Sequence, residues 1–187
     1  RKIKCMNFRA VVDQFKDKNI LVIGDVMIDA YMRGTVNRVS PEAPVPIVSL
    51  QKEEERLGGA ANVAINLVAM GANAIICSVV GNDKAGNQLV ELLTENHISA
   101  KGLVFSSERQ TTVKTRVIGN NQHLLRIDAE QTDDILEEEG LALIRLVQSI
   151  IEASKIDAII FEDYNKGVLT ELVISEIVTL ANKNGVV

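Results

Sequence analysis

Acids, amides and cations recur at a few points of this sequence, each next to an apolar run. Asp25 and Asp29 follow Ile20–Ile23 directly, and Asp163 and Lys166 follow Ile156–Phe161. Gly58, Gly59 and Asn62 open the segment LGGAANVAINLVAMG, Leu57–Gly71. Lys114 and Arg116 stand two apart in a β-rich stretch, and Arg126 and Asp128 repeat that spacing. A carboxylate accepts several hydrogen bonds and Asn both donates and accepts, a combination suited to sugar hydroxyls. Lys114, Arg116, Arg126 and Lys166 offer the charge-assisted donors that hold a phosphate. A phosphorylated polyol is the ligand these residue types suit. Plainer readings stand beside this one: Asp25 and Asp29 as turn-forming and capping acids, the glycines as a tight loop feeding a core helix, and the strand cations as a solvated edge.

Other chemistries lack their signatures. The sequence has no G-x-x-x-x-G-K-[ST] loop, and the Gly58–Asn62 stretch is not G-x-G-x-x-G. No His/Cys grouping has zinc spacing and no serine sits in G-x-S-x-G. A net charge of −5, with no basic cluster, argues against nucleic acid as a partner. No apolar run approaches the roughly 20 residues of a membrane span. Arg1–Ala10 has no secretory core segment, and Cys77 lies inside an apolar run as a reduced buried thiol would. A cytoplasmic location is the expectation.

These side chains need elements to position them. At 187 residues and 47% hydrophobic, the chain can bury one sizeable core. Compact apolar runs at Ile20–Ile23, Ala74–Val80 and Ile156–Phe161 have the length of buried parallel strands. Helical spacing marks Met6–Lys16, the segment after Gly59, Lys84–Asn96 with Leu89, Leu92 and Leu93 inward, Asp133–Ser154 capped by Thr132, and a last helix capped by Thr170 and ended by Gly185. The alternation predicts a parallel sheet with helices on both faces. Two regions interrupt it, at about 31–50 and 103–128. The first holds all the prolines, with strands expected at Tyr31–Val36 and Pro46–Leu50. The second has a Gly119–Asn120–Asn121 hairpin signal. Together they read as a β appendage, a lid or a subunit contact. Glu53–Glu54–Glu55–Arg56 reads as a solvated turn, and Val186–Val187 as the start of a fourth strand.

GDVMID after the first strand, GGAANVAINLVAMGA, and GNDKAG after the second strand resemble the ribokinase, or PfkB-type, carbohydrate kinases over nearly the whole chain. Within that family the chain is most similar to the D-glycero-β-D-manno-heptose 7-phosphate kinases. GDVMIDAYMRG (24–34), RVSPEAPVPIV (38–48), ERLGGAANVA (55–64), KTRVIGNNQHLLRID (114–128) and EDYNKG (162–167) carry that likeness. The resemblance implies a three-layer α/β/α fold with a mostly parallel sheet and a small β lid, of which residues 1–187 form the N-terminal portion. It implies ATP-dependent phosphorylation of the anomeric hydroxyl of heptose 7-phosphate for ADP-heptose and lipopolysaccharide core synthesis. A PfkB-type kinase for fructose 1-phosphate, another sugar or a nucleoside is the alternative, as is a non-catalytic sugar-phosphate-binding or dimerisation module.

By this resemblance Asp29, Asn62 and the Gly58–Gly59 backbone meet sugar hydroxyls, with Asp25 in support. Lys114, Arg116, Gln122 and Arg126 face the substrate's own phosphate, and Asp163 and Lys166 face the junction with the nucleotide. The family's second motif, a Gly-Ala-Gly-Asp loop carrying the general base and the anion hole, does not occur here. The expectation is therefore a sugar-binding half-site with no catalytic residue and no metal ligand of its own. ATP and Mg²⁺ would belong to the longer parent, the piece would be inactive alone, and the β lid would pair two copies as a homodimer.

Overall fold

The computed structural model describes residues 11–187. Of the helix expected at Met6–Lys16, the part up to residue 10 lies outside the described residues; a 3-10 turn occupies Asp13–Phe15. The elements that follow are β1 (Asn19–Gly24), β2 (Val26–Val39), β3 (Pro46–Gly59), α1 (Ala60–Ala69), β4 (Asn73–Gly81), α2 (Lys84–Glu95), β5 (Ser99–Ser106), β6 (Val113–Gly119), β7 (Gln122–Ala129), α3 (Glu137–Ala153), β8 (Ala158–Glu162) and α4 (Glu171–Asn184).

The main sheet has the order β5-β4-β1-β8, and all its pairings are parallel. Alternation along β1 feeds two cores. Ile20 and Val22 join α1 and α2 through Ala60, Ala64, Leu67, Leu89 and Leu93. Leu21 and Ile23 pack on the opposite face with Leu143, Val147, Val173 and Ile177 of α3 and α4. Cys77 belongs to this second core, and burial pushes its thiol up to about 12. The three layers expected from the alternation are therefore present. Beyond β8, the Val187 carbonyl accepts from the Ile159 amide at 2.7 Å, but Val186–Val187, expected to start a strand, do not form one.

Asp157 ties the start of β1 to the segment entering β8. Its carboxylate accepts from the Asn19 amide at 3.0 Å and from Lys18 Nζ at 3.1 Å. The Asn19 amide foremost, then Lys18, holds its pKa at about 2, below the ordinary 3.8. A depressed carboxylate stabilises the fold above its unfolded pKa and loses that contribution as pH falls through the folded value. Thermal melts should therefore show a midpoint falling between about pH 4 and about pH 2. Asp157→Asn should flatten that part of the profile; an unchanged profile would remove Asp157 from the acid response.

The second sheet, order β3-β2-β6-β7, is more extensive than the sequence suggests. β2 and β3 are 14-residue antiparallel strands, far longer than the expected Tyr31–Val36 and Pro46–Leu50. Glu53–Arg56, expected in a turn, lies inside β3. Pairing with β2 supplies its backbone partners, and as an edge strand β3 can carry charges. Glu54 there meets Arg33 at 3.7 Å and Arg56 at 3.3 Å. Leu103–Ser106, grouped with the lid by its β-rich composition, instead pairs with β4 at the edge of the main sheet. The lid is thus built from 26–59 and 113–129. The helix expected from Asp133 begins only at Glu137, because Leu136 just before it is extended (ψ 148°), while the Ile135 amide donates to the Gly167 carbonyl at 3.0 Å. Glu139 then accepts from the Leu136 amide at 2.9 Å to close the first turn.

Candidate sugar-phosphate cleft

A single residue, Asp25, separates β1 of the main sheet from β2 of the lid. It is 1% exposed. Its Oδ2 accepts from the amides of Tyr164 (2.8 Å) and Lys166 (3.1 Å), and its Oδ1 from Val168 (3.2 Å). Its own carbonyl accepts from the Ala60 amide at 2.9 Å. Asp25 thus joins three things that must meet: the lid strand, the loop after β8 and the start of α1. It supports the cleft from beneath and does not line it. The Ala60 bond also uses up one of the first amides of α1.

Strand parity then decides what faces the cleft. Asp29 pairs with Lys114 across β2 and β6, and Tyr31 pairs with Arg116, so all four share one face of the lid. Gly58 lies beneath Asp29: a Cβ there would stand 2.6 Å from Asp29 Oδ2. Gly59 has φ 58°, which frees the chain to turn from β3 into α1. Asn62 follows on the exposed edge of α1. Asp29, Gly58, Gly59, Asn62, Lys114, Arg116 and Lys166 together line a cleft of about 330 Å³, with Met27 and Tyr164 completing its wall.

Three other expected residues lie elsewhere. Gln122 sits at the turn end of the hairpin, opposite Gly119, and is exposed. Arg126 neighbours Arg116 on the same face but is exposed and donates to Asp128 at 2.9 Å. Asp163 is exposed, and its Oδ1 accepts from the Asn165 amide at 2.7 Å. None of the three is on the wall of the cleft.

The cations of the cleft are already partnered. Arg116 donates to Asp29, which foremost raises its pKa, and its guanidinium lies 5.3 Å from the Tyr31 ring centre. Lys114 meets Asp128 at 3.1 Å and also Glu130; Lys166 meets Glu130 at 3.2 Å. Burial works against the Lys114 charge, yet Glu130 and Asp128 overcome it and its pKa rises. Sequence spacing points to neither Glu130 nor Tyr31, although the period-two register of Tyr31 with Asp29 is a signal that could have found it. Arg109 carries no such signal. It donates to the Lys166 carbonyl at 2.6 Å and so fixes the backbone of that lysine from a second side. Chemically, the wall offers one carboxylate and one amide for hydroxyls and three cations for an anion. Among the described residues, no group of three or more His, Cys, Asp or Glu is arranged to hold a metal ion. No helix among them is long and apolar enough to cross a membrane.

Known proteins share this architecture. A possible 1-phosphofructokinase from Thermotoga maritima superposes with TM-score 0.63 at 20% identity, covering 90% of this chain and 52% of that one. Ribokinase from Arabidopsis thaliana, solved with ribose and ATP, superposes with TM-score 0.59 at 12% identity over 91% of this chain and 52% of its own. At such identities the likeness concerns the fold. In sequence, the chain is 44% identical to the bifunctional protein HldE of Aliarcobacter butzleri over 171 residues, 91% of this chain and 36% of that protein. It is 42% identical to HldE of Helicobacter pylori over 167 residues, 89% of this chain and 36% of the relative. The chain thus spans about a third of the length of the curated relatives it matches. The model of the pfkB family of carbohydrate kinases matches residues 17–185, nearly the whole chain, and to that family the chain belongs.

Proposed function

We propose that this chain forms the acceptor-binding half of a sugar-phosphate kinase whose substrate is D-glycero-β-D-manno-heptose 7-phosphate. The parent protein transfers the γ-phosphoryl group of ATP to the anomeric hydroxyl, giving the 1,7-bisphosphate and ADP. One observation carries the reading: Asp29 and Asn62 line a single cleft together with Lys114, Arg116 and Lys166. The carboxylate and amide suit the hydroxyls of the sugar, and the cations suit its phosphate. RVSPEAPVP and the HldE relatives support the heptose phosphate over other acceptors. ATP, when bound with Mg²⁺, supplies the phosphoryl group. This chain orients the acceptor, and without a Gly-Ala-Gly-Asp loop it carries no base to take the hydroxyl proton. No turnover is expected from these 187 residues alone. A cytoplasmic location follows from the need for ATP.

Calorimetric titration of the chain with heptose 7-phosphate, fructose 1-phosphate and ATP tests this. Heptose 7-phosphate should bind, and ATP should not. Asp29→Ala or Asn62→Ala should weaken binding by roughly 10- to 100-fold, the loss of one hydrogen-bonding group to a bound ligand. Preference for fructose 1-phosphate would keep the family and remove the heptose. Failure of every sugar phosphate to bind would overturn the site.

The lid also supports a homodimer. On the face opposite the cleft, Met32, Val117 and Leu125 stand in one row across three strands, with Ile127 in the next. Leu125 and Ile127 are 52% and 55% exposed, unusual for large apolar strand residues. Sedimentation should show a dimer, and Leu125→Glu should make it monomeric without lowering heptose 7-phosphate affinity. A wild-type monomer would end the dimer proposal.

A further inference from the structure

The ion pairs of the lid close among themselves at nearly every point. Arg33, Lys52 and Arg56 surround Glu54, Arg116 meets Asp29, and Arg126 meets Asp128. Among the described residues, one ion pair links a loop of the main sheet to the segment leaving the lid: Lys166 Nζ to Glu130 Oε1, just past β7, 3.2 Å. The other oxygen, Glu130 Oε2, accepts from Lys114 Nζ. Both lysines line the cleft and are only 14% and 15% exposed, whereas Glu130 is not part of its wall. The backbone of Glu130 is itself held: its carbonyl accepts from Gln110 Nε2 at 3.2 Å, and Gln131 Oε1 accepts from the Gln110 amide at 2.7 Å. The carboxylate therefore reaches the two ammonium groups from a fixed base just past β7.

We propose that Glu130 is a specificity-determining residue, a tethered counter-anion that reserves Lys114 and Lys166 for a ligand group carrying two negative charges. The inference rests on the sugar-phosphate reading of the cleft and deepens it. A tethered carboxylate competes at high effective concentration. A singly charged carboxylate ligand gains from the two lysines no more than Glu130 already supplies, and is repelled by Glu130 as well. An uncharged ligand gains nothing. A phosphate dianion brings greater charge and three acceptor oxygens, so it can draw both ammonium groups away from Glu130. Lys166 can answer this way because its backbone is anchored by Asp25 and Arg109 while its side chain is a flexible stem. Lys114, the largest influence, together with Lys166 keeps the Glu130 carboxyl below the usual range, so the competitor is a full anion at neutral pH.

The test is an NMR titration of the chain at about pH 8, where phosphate is mainly the dianion. Inorganic phosphate and formate serve as probes on wild type, Glu130→Gln and Glu130→Asp, with a thermal melt of each. Wild type should bind phosphate at least about ten times more tightly than formate. Glu130→Gln should gain about tenfold in formate affinity, so that the ratio falls to about threefold or less. Glu130→Asp, reaching one lysine only, should lie between. An unchanged ratio in Glu130→Gln overturns the proposal, as does loss of both anions, which would make Glu130 a builder of the site and not its filter. If Glu130→Gln does not fold, wild-type selectivity in Glu130→Asp overturns it equally. Heptose 7-phosphate binding to wild type without measurable phosphate binding removes the role of Glu130 and leaves the site reading intact. Absence of heptose 7-phosphate binding removes the site reading itself.

Discussion

Replacing Asp25 by alanine is expected to lower the stability of the chain by about 3–5 kcal/mol. The carboxylate is buried and accepts from three backbone amides, of Tyr164, Lys166 and Val168. Each buried donor stripped of its acceptor costs about 1–3 kcal/mol, and the two nearer the surface recover part of that from water. For a chain of this size the melting midpoint should fall by about 10–15 °C. Affinity for heptose 7-phosphate should fall too, because the 162–168 loop places Lys166 and Tyr164 on the wall of the cleft. Asp25→Asn keeps the shape but turns an amino group toward backbone donors, so it should sit between the two. A midpoint within about 3 °C of wild type for Asp25→Ala would show that the loop is held by something else.

The paired glycines should separate folding from binding. Gly59→Ala is expected to cost about 3 kcal/mol or more. Its φ of 58° combines with ψ of −137°, a pairing that L side chains avoid, and a Cβ would stand 2.3 Å from the Asp25 carbonyl oxygen. That oxygen belongs to fixed backbone and already accepts from Ala60, so it has no direction in which to yield. Gly58→Ala meets side-chain atoms instead, Asp29 Oδ2 at 2.6 Å and Met27 Cγ at 2.8 Å, and these can swing aside. Its stability cost should be about 1 kcal/mol. Moving Asp29 off its place beside Arg116 should nevertheless weaken heptose 7-phosphate binding at least tenfold. Denaturant midpoints and calorimetry on both variants check this. Equal losses of stability in the two would refute the distinction, and full binding by Gly58→Ala would remove Asp29 from the site.

Much of the fold is legible in the order of residues. The apolar runs in β1, β4 and β8 and the helical repeats of α1 to α4 are strong local signals, and parallel strands with helices between them admit few arrangements. The lid is harder to delimit. Glu53–Arg56 and Asn37–Arg38 carry too many charges and polar groups to look like strand, since local composition does not record that a partner strand will satisfy the backbone. Leu103–Ser106 fails in the opposite way, a strand whose sheet cannot be chosen from its own residues.

The candidate site divides along the same line. Residue type and position after a strand are enough to single out Asp29, Gly58, Gly59, Asn62, Lys114, Arg116 and Lys166, because each sits where chain direction and side-chain period leave few choices. What sequence alone determined was therefore the side chains available, acids and amides that can bond hydroxyls and cations that can bond an anion, and the main strands and helices that carry them. Only the tertiary structure decided which of these meet. Asp25 turned inward because three amides from a loop about 140 residues away needed an acceptor. Glu130 came between two lysines of different layers, while Gln122, Arg126 and Asp163 remained outside the cleft. Such pairings depend on contacts between distant parts of the chain, and no local pattern of residues encodes the distance between them.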